Sequence, residues 1–297
     1  MNEIFKIEVN KNYYSSIGNF FSPIVLSSFV NNFYSSYFTE VCQNSQLLRN
    51  TDLSITVGDF FDSIFYFLLK HYRNEYIYKN IIANKILLGK HSLKTSQVLT
   101  EFRIGKNIAD IIILNGTSTV YEIKSEYDSF LRLNRQINSY SKAFEFVNII
   151  TSPSQTKKAL NQLPESIGVL SFTKRNTIST VRKPKSNLEN IDLSILFESL
   201  RKDEYLQIIN TYYGNIPNVP NTKIFTECKN LYCDIPIEKA VKLTIEVLKK
   251  RNYSDFMIQH INEIPYSLIA YVLSLGNNKK RLEKLLNIVK RQLIEVI

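Results

Sequence analysis

Residues 107–125 read NIADIIILNGTSTVYEIKS, and this stretch decides the fold of the central part of the chain. Two apolar, β-branched runs flank Asn115 and Gly116. Asn-Gly between such runs is a strong short-range signal for a β-hairpin. The stretch therefore predicts two paired antiparallel strands.

The hairpin predicts that three charged side chains converge at one edge of the sheet. Glu122 and Lys124 share a face because strand side chains alternate. Asp110 lies near the start of the first strand, which in a hairpin lies beside the end of the second. An ordinary Glu–Lys pair on a solvated face is the alternative. A carboxylate inside an apolar strand favours convergence, since its burial is costly unless it is paired or binds a metal.

Two carboxylates and a lysine suit metal-assisted hydrolysis of a phosphodiester. Mg²⁺ prefers oxygen ligands and usually takes one or two protein carboxylates together with waters and substrate phosphate. Asp110 and Glu122 are the predicted ligands of Mg²⁺, or of Mn²⁺ in its place. Lys124 would position or help to deprotonate the attacking water and offset charge on the phosphate oxygens.

The residues after the hairpin predict a helix and a further strand. Asp128 is a candidate cap for a helix over Ser129–Phe146, and Arg132, Gln136 and Tyr140 recur on it at intervals of four. Residues 147–151 read VNIIT, a short strand. A strand–helix–strand series predicts a right-handed crossover and a parallel pair.

These motifs together resemble the PD-(D/E)XK nuclease superfamily. Its motif looks like Asp110 followed by Glu122-Ile123-Lys124, although Ala109 stands where the superfamily has proline. Gln136 and Tyr140 are similar to a glutamine and tyrosine motif of the RecB-type members. The longer run over 74–140, which includes LTEFR at 99–103, resembles a group of largely uncharacterised bacterial proteins assigned to that superfamily.

The resemblance covers about residues 70–180 and implies a restriction-endonuclease-like core with Mg²⁺-dependent nuclease activity. It also implies that Gln136 and Tyr140 orient substrate or support the metal site. Members often take a third carboxylate from the first core helix, and Glu75 is that candidate, on a helix predicted over 74–88 and ended by Gly89. The alternative for Glu75 is an exposed residue stabilised by the helix dipole. Glu101 is a weaker candidate, which could instead pair with Arg103 or Lys106.

The charge balance favours polyanionic partners. Lys and Arg total 37 against 27 Asp and Glu, a formal net charge of +10. Such an excess attracts nucleic acid through long-range fields and counterion release. We expect DNA rather than RNA as the partner, although the basic clusters at 174–175, 182–185 and 279–281 are also compatible with solvated loops.

Three regions follow one another along the 297 residues. Residues 1–70 predict a helical N-terminal extension with a helix over Gly58–Tyr72, residues 71–183 a nuclease-like core, and residues 184–297 a mostly helical C-terminal region. The last helix, predicted over Lys279–Val296, is amphipathic. We expect it to pack on the body of the protein or on a second protomer or protein partner, with a nucleic-acid-binding face as the alternative.

The sequence also predicts where the protein works. Apolar runs such as 64–69 are too short to cross a bilayer, and no secretory signal is evident near the N-terminus. Cys42, Cys228 and Cys233 fit reduced thiols better than a disulfide framework. We therefore expect a cytoplasmic protein that has no membrane partner.

The sequence as a whole predicts an α/β fold, a restriction-endonuclease-like mixed sheet flanked by helices, with helical extensions at both ends. The predicted function is a metal-dependent nuclease acting in bacterial defence or DNA processing. The alternative is a nucleic-acid-binding or protein-interaction module that keeps this fold without cleaving.

Overall fold

The computed structural model describes residues 7–49, 51–85, 96–173, 175–251 and 254–297. Contacts divide the chain into two compact units. One unit comprises residues 1–93 and 253–297, and the other comprises residues 94–252. The N-terminal extension thus belongs to the same unit as the end of the chain.

The chain before the sheet is helical and rich in buried aromatic rings. Its helices are α1 (Tyr14–Gly18), α2 (Pro23–Asn32), α3 (Ser36–Ser45), α4 (Val57–His71) and α5 (Glu75–Lys85). The Thr56 hydroxyl accepts from the backbone N–H of Asp59 and starts α4, as a helix N-cap does. The prediction over Gly58–Tyr72 is confirmed, whereas the predicted end of α5 near Gly89 lies outside the described residues.

A six-stranded mixed sheet forms the centre of the second unit, in the spatial order of the chain. Its strands are β1 (Gln97–Ile104), β2 (Asn107–Leu114), β3 (Ser118–Lys124), β4 (Phe146–Thr151), β5 (Gly168–Phe172) and β6 (Ile178–Arg182). β3, β4 and β5 run parallel to one another, and the other neighbours are antiparallel. The predictions of a mixed sheet, of the hairpin and of the parallel crossover pair are confirmed.

The hairpin between β2 and β3 turns through Asn115, Gly116 and Thr117. Gly116 has φ +104°, and a Cβ added there would meet no atom within 4 Å. The constraint at Gly116 is therefore its backbone conformation, which L side chains rarely adopt. The register pairs Ile111 with Tyr121, so the apolar runs face each other across the hairpin.

Two helices flank the parallel strands: α6 (Leu133–Ser141) between β3 and β4, and α7 (Pro153–Gln162) between β4 and β5. The prediction of one helix over Ser129–Phe146 was wrong at both ends. The Asp128 carboxylate accepts from the Ser125 N–H and hydroxyl, and so closes a turn instead of capping a helix. At the other end the chain leaves the helix after Ser141, because Phe146 already begins β4.

The second unit is completed by α8 (Leu193–Glu198), α9 (Lys202–Tyr213), α10 (Asn221–Cys233) and α11 (Ile237–Lys249). Sheet residues such as Phe102 and Val147 share one hydrophobic core with helical residues such as Phe197, Tyr232 and Val241. These four helices agree with the prediction of a mostly helical region after residue 184.

The chain ends with α12 (Asp255–His260), α13 (Ile269–Ser274) and α14 (Lys279–Val289). The apolar residues of α14 are buried within this chain, so the prediction that this helix packs on the body is confirmed. Its predicted extension to Val296 was wrong. Beyond α14 the N–H groups of Leu293 and Ile294 donate to the carbonyls of Ile55 and Leu53, which a continued helix would prevent.

Among the helices in the described part of the chain, none is long and apolar enough to cross a membrane. The three cysteines are unpaired; Cys42 and Cys228 are buried and Cys233 is exposed.

A candidate site at the edge of the sheet

Asp110 lies where the ladder between β2 and β3 ends. The pairing of Ile111 with Tyr121 is the last in that ladder, and the same register places Asp110 opposite Glu122. The carboxylate Oδ2 of Asp110 accepts the backbone N–H of Ile123 at 2.8 Å. A side chain thus takes a donor of the neighbouring strand and fixes the carboxylate beside Glu122.

Glu122 and Lys124 form a buried ion pair on one face of β3. The Lys124 Nζ donates to Glu122 Oε1 at 2.9 Å, and the two residues are only 8% and 2% exposed. The alternative of an ordinary pair on a solvated face is therefore wrong. Burial of a charged pair is favourable only when further hydrogen bonds satisfy both groups, and α6 supplies them.

Gln136 of α6 joins both members of the pair. Its Nε2 donates to Glu122 Oε1 at 2.5 Å, and its Oε1 accepts from Lys124 Nζ at 3.2 Å. The amide thereby closes a three-residue ring with the carboxylate and the ammonium. These hydrogen bonds fix the Lys124 amine near the end of β3.

Tyr140 lies one helical turn after Gln136 and reaches the other carboxylate oxygen. Its hydroxyl lies 2.8 Å from Glu122 Oε2 and 2.8 Å from the carbonyl oxygen of Ile108. Burial, and next the charge of Glu122, raise the pKa of Tyr140, so the phenol stays protonated as a donor. Gln136 and Tyr140 are four residues apart, so they lie on the same face of α6 and both reach Glu122 of β3.

A tight turn fixes the chain directly after Lys124. Asp128 Oδ2 accepts from the Ser125 N–H at 2.8 Å and from its hydroxyl at 2.6 Å, and the Lys124 carbonyl accepts from Ser152 N–H. Asp128 therefore closes a turn and does not cap a helix, contrary to the prediction from the sequence. The Ser-x-x-Asp spacing of a side-chain-bonded turn was the signal that could have identified it.

The two remaining acidic candidates do not share these contacts. Glu75 lies in the first turn of α5, in the other unit, where its carboxylate pairs with Lys79 at 2.7 Å and 46% of its side chain is exposed. Glu101 is exposed, has φ +53° within β1, and forms no ion pair with Arg103 or Lys106. A third carboxylate ligand therefore stays a prediction.

The cluster offers a limited set of metal ligands. Among the described residues, no group of three or more His, Cys, Asp or Glu side chains could hold a metal ion. Mg²⁺ does not require three, since it commonly keeps waters beside one or two carboxylates. A carboxylate has about four acceptor positions, and three donors contact Glu122. By this count Glu122 keeps about one acceptor position beyond its three protein donors.

Comparison with known proteins places the chain in a family. Residues 69–272, more than half of the chain, match the model of the family described as bacteriophage P4 protein cII. The chain belongs to this family. The matched residues of this family member include all of β1–β6 and therefore the whole cluster.

Two individual proteins are similar to this family member. Protein cII of Enterobacteria phage P4 is 28% identical over 174 residues, which are 57% of this chain and 64% of that protein. The chain thus spans less than two thirds of that relative. A solved structure, the SPO1766 protein of unknown function from Silicibacter pomeroyi, has a TM-score of 0.28 and 16% identity over 36% of this chain and 68% of its own. That likeness is too low to support an argument about the fold.

Proposed function

We propose that this protein is a metal-dependent nuclease with a restriction-endonuclease-like core of the PD-(D/E)XK type. It would hydrolyse phosphodiester bonds of nucleic acid, DNA rather than RNA, in bacterial defence or DNA processing. The observation that carries the proposal is the contact of Glu122 with Lys124, Gln136 and Tyr140 at 2.5–2.9 Å beside Asp110. An ordinary structural ion pair has no need of this second carboxylate at the end of a ladder.

The proposal gives each residue of the cluster a separate task. Asp110 and Glu122 would hold Mg²⁺ or Mn²⁺. A bound divalent ion would polarise the phosphate and lower the pKa of a water. Lys124 would hold the attacking water and offset negative charge on the phosphate oxygens. Gln136 and Tyr140 would orient Glu122, as partners of metal ligands do.

The test is cleavage of labelled single- and double-stranded DNA and RNA by the purified full chain with Mg²⁺, Mn²⁺ or EDTA. Asp110→Asn removes a charge at nearly constant shape, and Lys124→Gln removes a charge with a side chain one atom shorter. We expect metal-dependent cleavage of DNA that both substitutions reduce by at least 100-fold, since electrostatic groups of this kind commonly contribute that much.

Lys223→Gln is the matched control, because Lys223 is an exposed residue of α10 in the same unit. It should cleave like the unmodified protein, and all variants should unfold at similar temperatures. Cleavage that persists in EDTA, or in Asp110→Asn, would reject the metal-dependent mechanism. Cleavage that persists in Lys124→Gln would reject the role of this lysine alone.

One observation favours a second function, a module that binds nucleic acid or protein without cleaving. Both carboxylate oxygens of Glu122 already have protein partners, and the residue is 2% exposed. A closed polar network can serve to specify the packing of α6 on β3. Salt-dependent DNA binding with no turnover in any metal, and no metal-induced change in melting temperature, would favour this function over the nuclease.

A further inference from the structure

Helix α6 has a second polar face, beside the one that carries Gln136 and Tyr140. Arg135, Asn138 and Lys142 lie at intervals of three and four along it, so they share one side of the helix and its C-terminal cap. All three are exposed. Arg135 and Lys142 are seven residues apart, which is roughly 10 Å along a helix axis. One helix therefore carries the candidate site on one face and two cations on the next.

A small cavity opens on this second face. Its volume is about 200 Å³, and its walls come from α6, the turn between β1 and β2, and α8. The lining residues are Ile104, Gly105, Arg135, Asn138, Ser139, Lys142, Ile195 and Glu198. Sites for drug-sized ligands occupy roughly 300–1,000 Å³, and a water has a share of about 30 Å³. The cavity is therefore suited to a single hydrated group such as a phosphate, and not to a whole nucleotide.

The charges around the cavity favour an anion. Within the described part of the chain, neither Arg135 nor Lys142 takes part in an ion pair. The one carboxylate of the lining, Glu198, accepts from Lys229 at 2.6 Å and is compensated there. The Ser139 hydroxyl is already bonded to Asn107 and to the Arg135 carbonyl. The guanidinium, the ammonium and the Asn138 amide remain as donors to a ligand.

The helix dipole explains part of this arrangement of cations. A lysine at a helix C-terminus is favoured by the helix dipole, which accounts for Lys142. It accounts neither for an arginine two turns earlier on the same side nor for a cavity between them. Two like charges around one concave surface repel each other in the free protein, and a bound anion removes that repulsion.

We propose that this cavity is a phosphate-binding subsite that holds one backbone phosphate of a bound nucleic acid, next to the strand position at which α6 contacts Glu122. The subsite rests on the proposed function, because it needs a nucleic-acid substrate. It reads no base, since cations contact the backbone and only position the strand. Its contribution to affinity is therefore independent of sequence and dependent on salt.

The experiment measures binding of fluorescent single- and double-stranded DNA to the full chain in EDTA, from about 50 to 300 mM NaCl. The test variant is Arg135→Gln with Lys142→Gln. Its matched control is Lys223→Gln with Lys242→Gln, which removes two exposed charges from α10 and α11 of the same unit. We expect the test variant to bind about ten-fold more weakly near 100 mM salt and to lower the slope of log K against log salt by about one. The control should leave the slope within a few tenths.

Cleavage in Mg²⁺ separates this proposal from the nuclease. If the protein cleaves DNA but the test and control variants bind alike, the subsite is rejected and the nuclease stands. If the protein binds DNA without cleaving it, and only the test variant has a smaller slope of log K against log salt, the phosphate subsite is supported and the nuclease is rejected. If it binds no nucleic acid, both are rejected.

Inorganic phosphate distinguishes a backbone subsite from a site for a free anion. The probe is the melting temperature in phosphate against chloride at equal ionic strength, without DNA. Phosphate could raise the melting temperature of the unmodified protein but not that of the test variant, while the two proteins bind DNA alike. That result would assign the cavity to a free anion and overturn the proposal. The proposal is supported if the test variant binds DNA of several sequences more weakly by the same factor and has a smaller slope of log K against log salt.

Discussion

Two ion pairs within residues 94–252 share an acidic residue type but differ in burial and geometry: Glu122 and Lys124 are buried, whereas Glu204 and Arg251 are half-buried. Glu122 meets Lys124 through one oxygen at 2.9 Å, and Gln136 and Tyr140 complete its contacts. Glu204 meets Arg251 through two parallel hydrogen bonds of 2.5 and 2.7 Å. The first pair lies on adjacent positions of one strand face, and the second joins helix α9 to the segment just after α11.

The arginine pair is built for packing. The guanidinium lies 5.2 Å from the centre of the Phe102 ring of β1, so it links two helices to the edge of the sheet. A planar guanidinium suits such bidentate and stacked contacts. Lysine is instead a point charge with three rotatable donors, and two of those of Lys124 have acceptors in the cluster. The two pairs thus differ both in burial and in the geometry of the cation. The bidentate, stacked arginine is typical of a structural contact, whereas the Lys124 amine of the buried pair lies between two acceptors of the cluster.

The largest expected effect is on cleavage. Lys124→Met should reduce DNA cleavage by about 1,000-fold, equivalent to roughly 4 kcal/mol of transition-state stabilisation, whereas Arg251→Met should cleave normally at temperatures where it is folded. Single-turnover cleavage in Mg²⁺ checks both. Equal losses in the two variants would show that the lysine acts only through the fold.

The second expected effect is on stability, where Arg251→Met should have a larger effect than Lys124→Met. Arg251→Met should lower the free energy of unfolding by about 2 kcal/mol, because it leaves the half-buried Glu204 carboxylate without its charged partner. Lys124→Met should cost less, since Gln136 and Tyr140 still donate to Glu122. Urea unfolding followed by circular dichroism measures both values. A larger cost for Lys124→Met would make the cluster the structural pair of the two.

A smaller effect should appear on acidification. Burial raises the pKa of Glu204, but the hydrogen bonds from Arg251 and Arg201 and the Arg251 charge outweigh it, so the pKa lies below the ordinary glutamate value of 4.5. The native carboxylate therefore binds protons less readily than the unfolded one. Its stabilisation is present above pH 4.5 and is lost as the pH falls through the lower native pKa. Melting temperatures of the unmodified protein and Glu204→Gln should converge over that range; parallel curves would contradict this assignment.

The smallest effect should come from the metal alone. At a Mg²⁺ concentration ten times the dissociation constant, linkage adds about 1.4 kcal/mol, or a rise in melting temperature of roughly 3 °C. Asp110→Asn should abolish the rise and Arg251→Met should retain it. Scanning fluorimetry with Mg²⁺ against matched ionic strength tests this without any cleavage, and a rise that survives in Asp110→Asn would place the ion elsewhere.

The sequence predicted the hairpin and the parallel crossover because local rules govern them, and it predicted all five residues of the cluster, Gln136 and Tyr140 through a family resemblance. Strand alternation places Glu122 and Lys124 on one face, and helical periodicity places Gln136 and Tyr140 on one stripe. The errors lie at element ends. Asp128 has the composition of a helix cap, but its carboxylate is already bonded to Ser125.

The sequence by itself determined the hairpin pairing of β2 with β3 and the spacing of the cluster, since these follow from the Asn-Gly turn and from the periods of strand and helix. Only the tertiary structure decided that Glu122 and Lys124 are buried and bonded to α6, because burial depends on which distant elements cover a face. It also decided the partner of Arg251, since Glu204 lies 47 residues earlier along the chain. Pairings over such separations carry no periodic signal that a sequence pattern could reveal.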